Sequence, residues 1–273
     1  MGQNKSLLKT DFNTIYICID SISYKNLCQN KYLKDTLFLC REKKQETNTD
    51  SYTGKYLIGE SSTLEIFRPQ NTNHIGDHWG DWGIEFKTRN INILDEIIAQ
   101  YKFFDTPIDT FTTKIIVDSL QIAWYKALNF KNLKNELTIL EYQPDYLNYL
   151  GFTKKQITQP MTFKEYNSIL SNGNNYPRQF SMVTRIKMFA DNNLIENLQI
   201  FANLNDCRII ENKLTNGVTT IEYKEVDTLP EFPIQEIEIS LLNDQISRIE
   251  EVSENLHIKI SGKIATFIFK NNY

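Results

Sequence analysis

The chain has 273 residues, is 41% hydrophobic and carries a net charge of −4, a composition typical of a globular protein with ample material for a core. Its 30 basic and 34 acidic residues are mixed along the chain, so nothing favours nucleic acid or a membrane surface as a partner. No apolar stretch approaches the roughly 18 residues that span a bilayer. The sequence therefore predicts a soluble protein, with the cytoplasm favoured and an exported form that has lost a signal peptide left open.

The four cysteines show neither a Cys-x-x-Cys pair nor the spacing of a disulfide framework. Buried free thiols are the default expectation for such residues, although two bridges are possible in an exported protein. The cysteines are Cys18, Cys28, Cys40 and Cys207.

After a polar tail at residues 1–11, the first predicted unit occupies residues 12–70. Isoleucines alternate with other residues over 14–20, a pattern that predicts a strand whose two faces are both covered. Ser21 or Ser23 can cap a following helix that ends near Phe38. A polar segment at 41–50 then leads to predicted strands at 55–59 and 63–67. We interpret the order of elements as β-α-β-β-β, although the pattern does not place one of the strands.

A second unit of the same order is predicted over residues 80–143. It opens with an alternating strand at 82–86, and a helix with isoleucines on one side follows. Candidate strands then lie at 114–117, 123–127 and 137–142. The sequence therefore predicts a tandem duplication, and the predicted helical, polar connector at 144–179 follows it.

Residues 180–273 predict a third related α+β unit. A helix around 194–204 precedes a hairpin whose Asn216-Gly217 turn is the strongest local turn signal in the chain. Two final strands, 257–260 and 265–269, are predicted to pair across 261–263. The fold class is α+β, with mixed or antiparallel curved sheets that enclose a cavity.

These residues resemble the vicinal-oxygen-chelate superfamily of glyoxalase, bleomycin-resistance and extradiol-dioxygenase relatives. The resemblance rests on the tandem β-α-β-β-β order over most of residues 12–245. Four short stretches of the chain are more similar still to an uncharacterised bacterial group of glyoxalase-like proteins. These are Asn13 to Asp20, Tyr52 to Tyr56, Gly80 to Phe86 and Pro144 to Leu147.

The resemblance implies a divalent metal bound by residues on the first and last strands of each module. Strand parity, with alternate side chains on opposite faces, indicates which residues can reach the shared cavity. The four candidate positions are Thr14, Glu65, Asp81 and Glu141. Of these, Glu65, Asp81 and Glu141 form the predicted metal set, with Glu65 and Glu141 as catalytic groups. The predicted substrate pocket consists of Thr14, Tyr16, Tyr56 and Glu85.

The sequence departs from the family pattern at Thr14, where histidine is common. An all-oxygen set favours Mg, Mn or Ca over Zn and makes redox iron less suitable. Without a metal the converging carboxylates would repel one another, which raises at least one pKa. Such a cluster could act as a general base or bind a cationic or hydroxyl-rich ligand.

Each of these candidate residues can also have a purely structural role. A strand-end Glu can be a solvated edge residue, and Asp81 between glycines can form an Asx-type turn. His74, Asp77, His78 and Asp81 lie close together in the sequence and could suggest a metal site. The glycines at 76, 80 and 83 favour an exposed turn instead.

Three functions remain open, with a homodimer possible for each. The first is a metal-dependent lyase, isomerase or dioxygenase of unknown substrate. The second is a metal-free protein that binds or sequesters a small molecule, and the third is a protein-interaction scaffold with a filled cavity.

Overall fold

The computed structural model describes residues 8–70, 76–102, 104, 107–130, 135–171 and 178–270. The architecture is α+β, with two curled mixed sheets, and it contains the predicted β-α-β-β-β modules. No helix within the described ranges is long and apolar enough to cross a bilayer.

The first module consists of β1 (Thr10–Cys18), α1 (Ser21–Leu27), β2 (Leu39–Glu46), β3 (Ser51–Ile58) and β4 (Thr63–Phe67). Asp20, rather than a serine, caps α1, because its carboxylate accepts hydrogen bonds from the backbone N–H groups of Ile22 and Ser23. The helix ends well before the predicted end near Phe38, and a π-helical turn (Leu33–Leu37) follows. Strand β2 lies in the segment that looked merely polar, since it is an edge strand with exposed charged side chains.

The second module consists of β5 (Trp82–Thr88), α2 (Ile93–Tyr101), β6 (Ile108–Val117), β7 (Leu120–Phe130) and β8 (Glu136–Tyr142). The two modules share one eight-stranded sheet with the order β2-β3-β4-β1-β5-β8-β7-β6. The first strands of the modules, β1 and β5, pair antiparallel at its centre. Each has the last strand of its own module as a parallel neighbour, so the duplication is visible in the strand pairing.

The two edges of this sheet meet, which curls it into a cup. Thr47, after β2, forms a bridge with Ile115 of β6. The Asn48 backbone N–H donates to the Lys114 carbonyl (3.0 Å), and the Lys114 N–H donates to Asn48 Oδ1 (2.7 Å). The concave side of the sheet is therefore enclosed by strands on both flanks.

The connector between the modules and the third unit forms α3 (Pro144–Tyr149), α4 (Lys154–Ile157) and α5 (Phe163–Ser171). It builds a small apolar cluster of its own against Tyr142 of β8. The rings of Tyr142 and Tyr166 lie 4.9 Å apart, so α5 covers one end of the concave side. The loop predicted at Asn172 to Asn175 lies outside the described residues.

The third unit consists of β9 (Phe180–Ala190), α6 (Asn192–Leu204), β10 (Arg208–Ile210), β11 (Lys213–Thr215) and β12 (Thr220–Glu225). The Asn216-Gly217 turn joins β11 to β12 as predicted. The long strands β13 (Ile234–Glu251) and β14 (Leu256–Phe269) complete a six-stranded sheet of order β10-β11-β12-β9-β13-β14.

The expected turn at 261–263 is wrong, because β14 continues through these residues and pairs with β13 along its length. Gly262, with φ at +58°, lies where the pairing of β13 with β14 is irregular, and the chain does not reverse its direction there.

The third unit covers the convex side of the first sheet. Phe201 of α6 lies 5.3 Å from Phe86 of β5, ring centre to ring centre, in an edge-to-face contact. Buried residues of both sheets form one continuous apolar core. Because the core lies on the convex side, polar groups can occupy the concave side.

Cys28 and Cys40 form a disulfide that joins the end of α1 to β2. The expectation of four free thiols is therefore wrong for this pair, and it holds for Cys18 and Cys207. The two bonded cysteines are 12 positions apart in the sequence, and only the chain path through α1 and the π-helical turn brings them together.

Candidate functional site

A cavity of about 390 Å³ lies on the concave side of the eight-stranded sheet. Its described lining has three chemical classes and contains neither lysine nor arginine. The carboxyl groups are those of Asp50, Glu65, Asp77, Glu85 and Glu136; the aromatic rings are Tyr16, Tyr52, Phe67, Phe111 and Tyr125; Thr47, Thr49, Gly76, Thr113, Asn129 and Thr138 complete it.

Tyr16 and Glu136 connect the two modules across the floor of the cavity. Tyr16 on β1 pairs with Gly83 on β5, and Gly83 pairs with Glu136 on β8. Because Gly83 has no side chain, the Tyr16 ring can lie across β5, and its hydroxyl donates to Glu136 Oε2 (2.9 Å). Asn129 Nδ2 donates to the other Glu136 oxygen (3.0 Å).

Glu65 lies on β4, opposite Tyr16 of β1 and Tyr56 of β3. Its carboxyl group lines the cavity, as strand parity predicts, and it accepts no hydrogen bond from the side chains or backbone that the structure describes. Burial raises the pKa of Glu65 to about 7, since the charged form loses solvation that no donor replaces. The carboxyl group is therefore available to a ligand.

Glu85 on β5 also lines the cavity and lies opposite Thr14. Asn13 Nδ2 donates to Glu85 Oε2 (3.3 Å), and the Thr14 hydroxyl donates to the same carboxyl group. The pairing of β1 with β5 shifts register at Asn13, which lets adjacent residues, Asn13 and Thr14, both reach Glu85. Burial first, and then the charges of Glu65 and Glu136, raise the pKa of Glu85 well above its usual range.

Aromatic rings form the wall beside Glu65. The Phe67 ring lies 6.0 Å from that of Tyr16 and 5.8 Å from that of Tyr52, both edge to face. Tyr56, a predicted pocket residue, lies opposite Glu65 on β3, and its hydroxyl is hydrogen-bonded to Tyr52, but it is not among the cavity-lining residues. Tyr52 takes its place at the cavity surface.

Asp81 does not reach the cavity. Its Oδ2 accepts hydrogen bonds from the backbone N–H groups of Gly76 and His78 (both 3.0 Å), so the side chain organises the loop before β5. This is the Asx-type role that competed with the metal role in the sequence. The expected exposed turn is corrected in part: Asp77 and Asp81 are buried, His78 is exposed, and His74 lies outside the described residues.

Glu141 lies on the opposite face of the sheet from Glu65. Its carboxylate accepts hydrogen bonds from the backbone N–H groups of Asn92 (2.9 Å) and Leu94 (3.0 Å) at the start of α2. The matched positions in the sequence misled because the residue of β8 at the register position of Glu65 is Glu136, which lies opposite Gly83 as Glu65 lies opposite Tyr16. Glu141 comes an odd number of residues later and therefore points to the other face. Glu141 caps a helix, and the carboxyl group that β8 contributes to the cavity is that of Glu136.

The predicted metal set therefore does not assemble. Of its three members only Glu65 faces the cavity, and Asp81 and Glu141 satisfy backbone N–H groups elsewhere. Within the described ranges, no three His, Cys, Asp or Glu side chains are close enough to hold a metal ion. The donor set thus does not fit the divalent cation that the superfamily resemblance implies.

Sequence reasoning missed Glu136, Tyr52, Tyr125 and Asp77 as cavity residues. For Glu136 a signal existed, because the apolar residues Leu137 and Ile139 alternate with Glu136 and Thr138. If the apolar residues Leu137 and Ile139 face the core, Glu136 must face the cavity. The prediction relied instead on the Leu140-Glu141-Tyr142 motif at the end of β8.

The fold has counterparts among solved structures. A hypothetical protein from Staphylococcus aureus is similar over 81% of this chain and 88% of that one, with a TM-score of 0.51 and 7% identity. A xylose isomerase-like TIM barrel/4-hydroxyphenylpyruvate dioxygenase fusion protein is similar over 82% of this chain and 33% of that one (TM-score 0.45, 8% identity). An extradiol ring-cleaving dioxygenase from B. fuscum is similar over 80% of this chain and 54% of that one (TM-score 0.37, 10% identity).

No curated protein matches the chain in sequence. A family model matches residues 12–269, which include all three units. The chain therefore belongs to the family of unknown function DUF5829.

Proposed function

We propose that the chain is a glyoxalase-like small-molecule-binding protein whose ligand occupies the cavity of the paired modules without a divalent metal. One observation carries this proposal: Glu65, Glu85 and Glu136 come from three strands to one cavity whose described lining has no basic side chain. Burial raises the pKa of all three carboxyl groups. Clustered ionisable groups with shifted pKa values in a cleft are typical of functional sites.

The size and lining of the cavity support the same proposal. Its volume of about 390 Å³ lies within the range of roughly 300–1,000 Å³ that small-molecule sites occupy. Aromatic rings and a few polar groups are the usual lining of such sites. The scaffold hypothesis required a filled cavity, and the open cavity contradicts that form of it.

The proposal can be tested by ligand-detected NMR on EDTA-treated protein with a fragment library of neutral, cationic and anionic small molecules. Thr49 is exposed at the rim of the cavity, so Thr49→Trp obstructs the entrance without disturbing the core. Ser168→Trp, at an exposed position on α5, is the matched control. We expect fragments to bind the metal-free protein and Ser168→Trp, and to lose binding in Thr49→Trp.

Three results would contradict the proposal. Fragments that bind Thr49→Trp as well as the wild type would locate their site outside the cavity. Binding that needs added Mg²⁺, Mn²⁺ or Ca²⁺, together with metal found by elemental analysis, would restore the metal-dependent hypothesis. No binding by any fragment would argue against a small-molecule site.

A second candidate function, proton transfer on the bound molecule, is favoured by Glu65 alone. A carboxyl group with a pKa of about 7 is suited to act as a general base near neutral pH. If this function is correct, the wild type catalyses exchange of acidic C–H protons of a bound fragment with deuterium from D₂O, and Glu65→Gln does not. Exchange at equal rates in both proteins would eliminate Glu65 as the base.

A further inference from the structure

We propose that the ligand of this cavity is a small organic cation, an amine or quaternary ammonium compound, held between Glu65 and Glu85 and against the aromatic wall. This inference rests on the proposed function, because it names the chemical class of the molecule that the cavity binds.

Glu65, Glu85 and Glu136 have no lysine, arginine or histidine beside them in the described lining of the cavity. Glu65 and Glu85 lie on the two strands that flank β1, and each accepts at most neutral donors from the described residues. Lys87 follows Glu85 on β5, but its Nζ donates to the backbone carbonyls of Thr88 (2.9 Å) and Met161 (3.3 Å) under α5. A buried carboxylate is costly unless a charge compensates it, and a ligand cation would supply that charge.

An unsatisfied acceptor independently points to a ligand that donates hydrogen bonds. Asn13 is 3% exposed, its Nδ2 reaches the Glu85 carboxyl group, and its buried Oδ1 accepts no hydrogen bond from the described residues. Buried acceptors without a donor are rare in proteins and cost about 1–3 kcal/mol. Asn13 lies beside the cavity through its contact with Glu85, so a water molecule between Asn13 Oδ1 and a ligand with N–H groups would satisfy this atom.

The rings complete a site for a cation. Tyr16, Tyr52 and Phe67 pack edge to face beside Glu65, and Phe111 and Tyr125 line the same cavity, with ring centres 6.5 Å apart. Aromatic faces attract ammonium groups, and more strongly where water is excluded. An anionic ligand would instead meet five carboxyl groups, and a neutral ligand would gain nothing from their charge.

The inference can be tested with probes of equal shape and different charge. Isothermal titration at pH 8 compares choline with 3,3-dimethylbutan-1-ol, and benzylamine with benzyl alcohol and benzoate. We expect each cation to bind at least about tenfold more tightly than its neutral counterpart. Cation binding should also release protons, which titration in buffers of different ionisation enthalpy detects, because the bound cation favours the charged form of the carboxyl groups.

Two variants with the same chemical change locate the effect. Glu65→Gln should reduce the preference for the cation to less than about threefold, whereas Glu141→Gln, on the opposite face, should leave it unchanged. Circular dichroism and thermal melting check that both variants are folded.

The failure of this inference can be distinguished from the failure of the proposed function. If benzyl alcohol or benzoate binds as tightly as benzylamine, the ligand is not a cation, and if Glu65→Gln keeps the full preference, Glu65 does not hold it. Either result overturns the inference while the cavity is still a small-molecule site. If no probe and no library fragment of any charge binds, both proposals are wrong.

Discussion

The hydroxyl of Tyr16 donates to the carboxyl group of Glu136, 120 positions later in the chain, at a distance of 2.9 Å. This hydrogen bond joins the first strand of one module to the last strand of the other. It forms across Gly83, where a Cβ atom would overlap the Tyr16 ring. The tyrosine, the glycine and the glutamate are thus one structural arrangement at the floor of the cavity.

Gly83→Ala should destabilise the protein by about 1–3 kcal/mol, because the added methyl group displaces the Tyr16 ring and overpacks the centre of the sheet. The measurement is urea denaturation, followed by circular dichroism. In a Tyr16→Ala background the clash is absent, so Gly83→Ala should cost less than about 0.5 kcal/mol there. Equal costs in the two backgrounds would show that the ring does not lie over Gly83.

Glu141→Ala should lower the free energy of unfolding by about 2 kcal/mol, because the backbone N–H groups of Asn92 and Leu94 lose their acceptor at the start of α2. Asn92 makes no cap hydrogen bond with its own side chain, so nothing replaces the carboxylate. Glu96→Ala, at an exposed position in the first turn of α2, should cost less than about 0.5 kcal/mol. If the Glu141→Ala variant is folded but no longer binds fragments, Glu141 is part of the ligand site and not only a helix cap.

Glu65 should make the protein less stable as the pH rises from about 4.5 to 7. The folded state raises the pKa of Glu65 from 4.5 to about 7, so it binds more protons than the unfolded state in this window. The protonated group contributes its full stabilisation below pH 4.5, its pKa in the unfolded state. This stabilisation is lost as the pH rises through about 7, its pKa in the folded state. Glu65→Gln should therefore melt a few degrees above the wild type at pH 8 and close to it at pH 4.5.

Glu85 on β5 and Glu136 on β8, whose pKa values burial also raises, titrate near Glu65 and contribute to the same profile. The neighbouring tyrosines stay protonated over this pH range, because burial raises the pKa of each above its already high value; they are Tyr16, Tyr52, Tyr56, Tyr125 and Tyr142. The matched control is Glu46→Gln at an exposed position on β2, whose melting temperature should differ little from that of the wild type at either pH. If Glu65→Gln and Glu46→Gln gave the same pH profile, Glu65 would not be the group that titrates.

The Cys28–Cys40 disulfide should stabilise the fold by about 2–3 kcal/mol, since it closes a short loop in the unfolded chain. Cys28→Ser/Cys40→Ser should show this loss in thermal melting while it retains fragment binding, because neither cysteine lines the cavity. Protein in which thiol trapping and intact mass find Cys28 and Cys40 as free thiols would contradict the bridge.

The two free cysteines should be poorly reactive. Burial, with the charge of a nearby aspartate, raises the pKa of Cys18 and of Cys207 to about 12. Iodoacetamide at pH 8 should therefore label no thiol in the folded protein and two after reduction of the bridge, as measured by intact mass. Labelling before reduction would show that one of these thiols is accessible and ionised.

The sequence alone determined which face of each central strand is buried. Isoleucines at alternate positions of β1 can only face the core, so Tyr16 and the facing Glu65 of β4 had to lie on the other side. The same reasoning predicts that Glu85 on β5 faces this side, and its carboxyl group lines the cavity. The sequence carries this information because the alternation of side chains is a local property of an extended chain.

Only the tertiary structure decided which acidic groups meet. Glu65, Glu85 and Glu136 lie on three different strands, and only the pairing of β1 with β4 and β5, and of β5 with β8, brings their carboxyl groups to one cavity. The contact between the edges of β2 and β6 and the cover from α5 likewise join segments that are distant in the chain. Such contacts depend on hydrogen bonding and packing between segments far apart in the chain, and no local pattern records them.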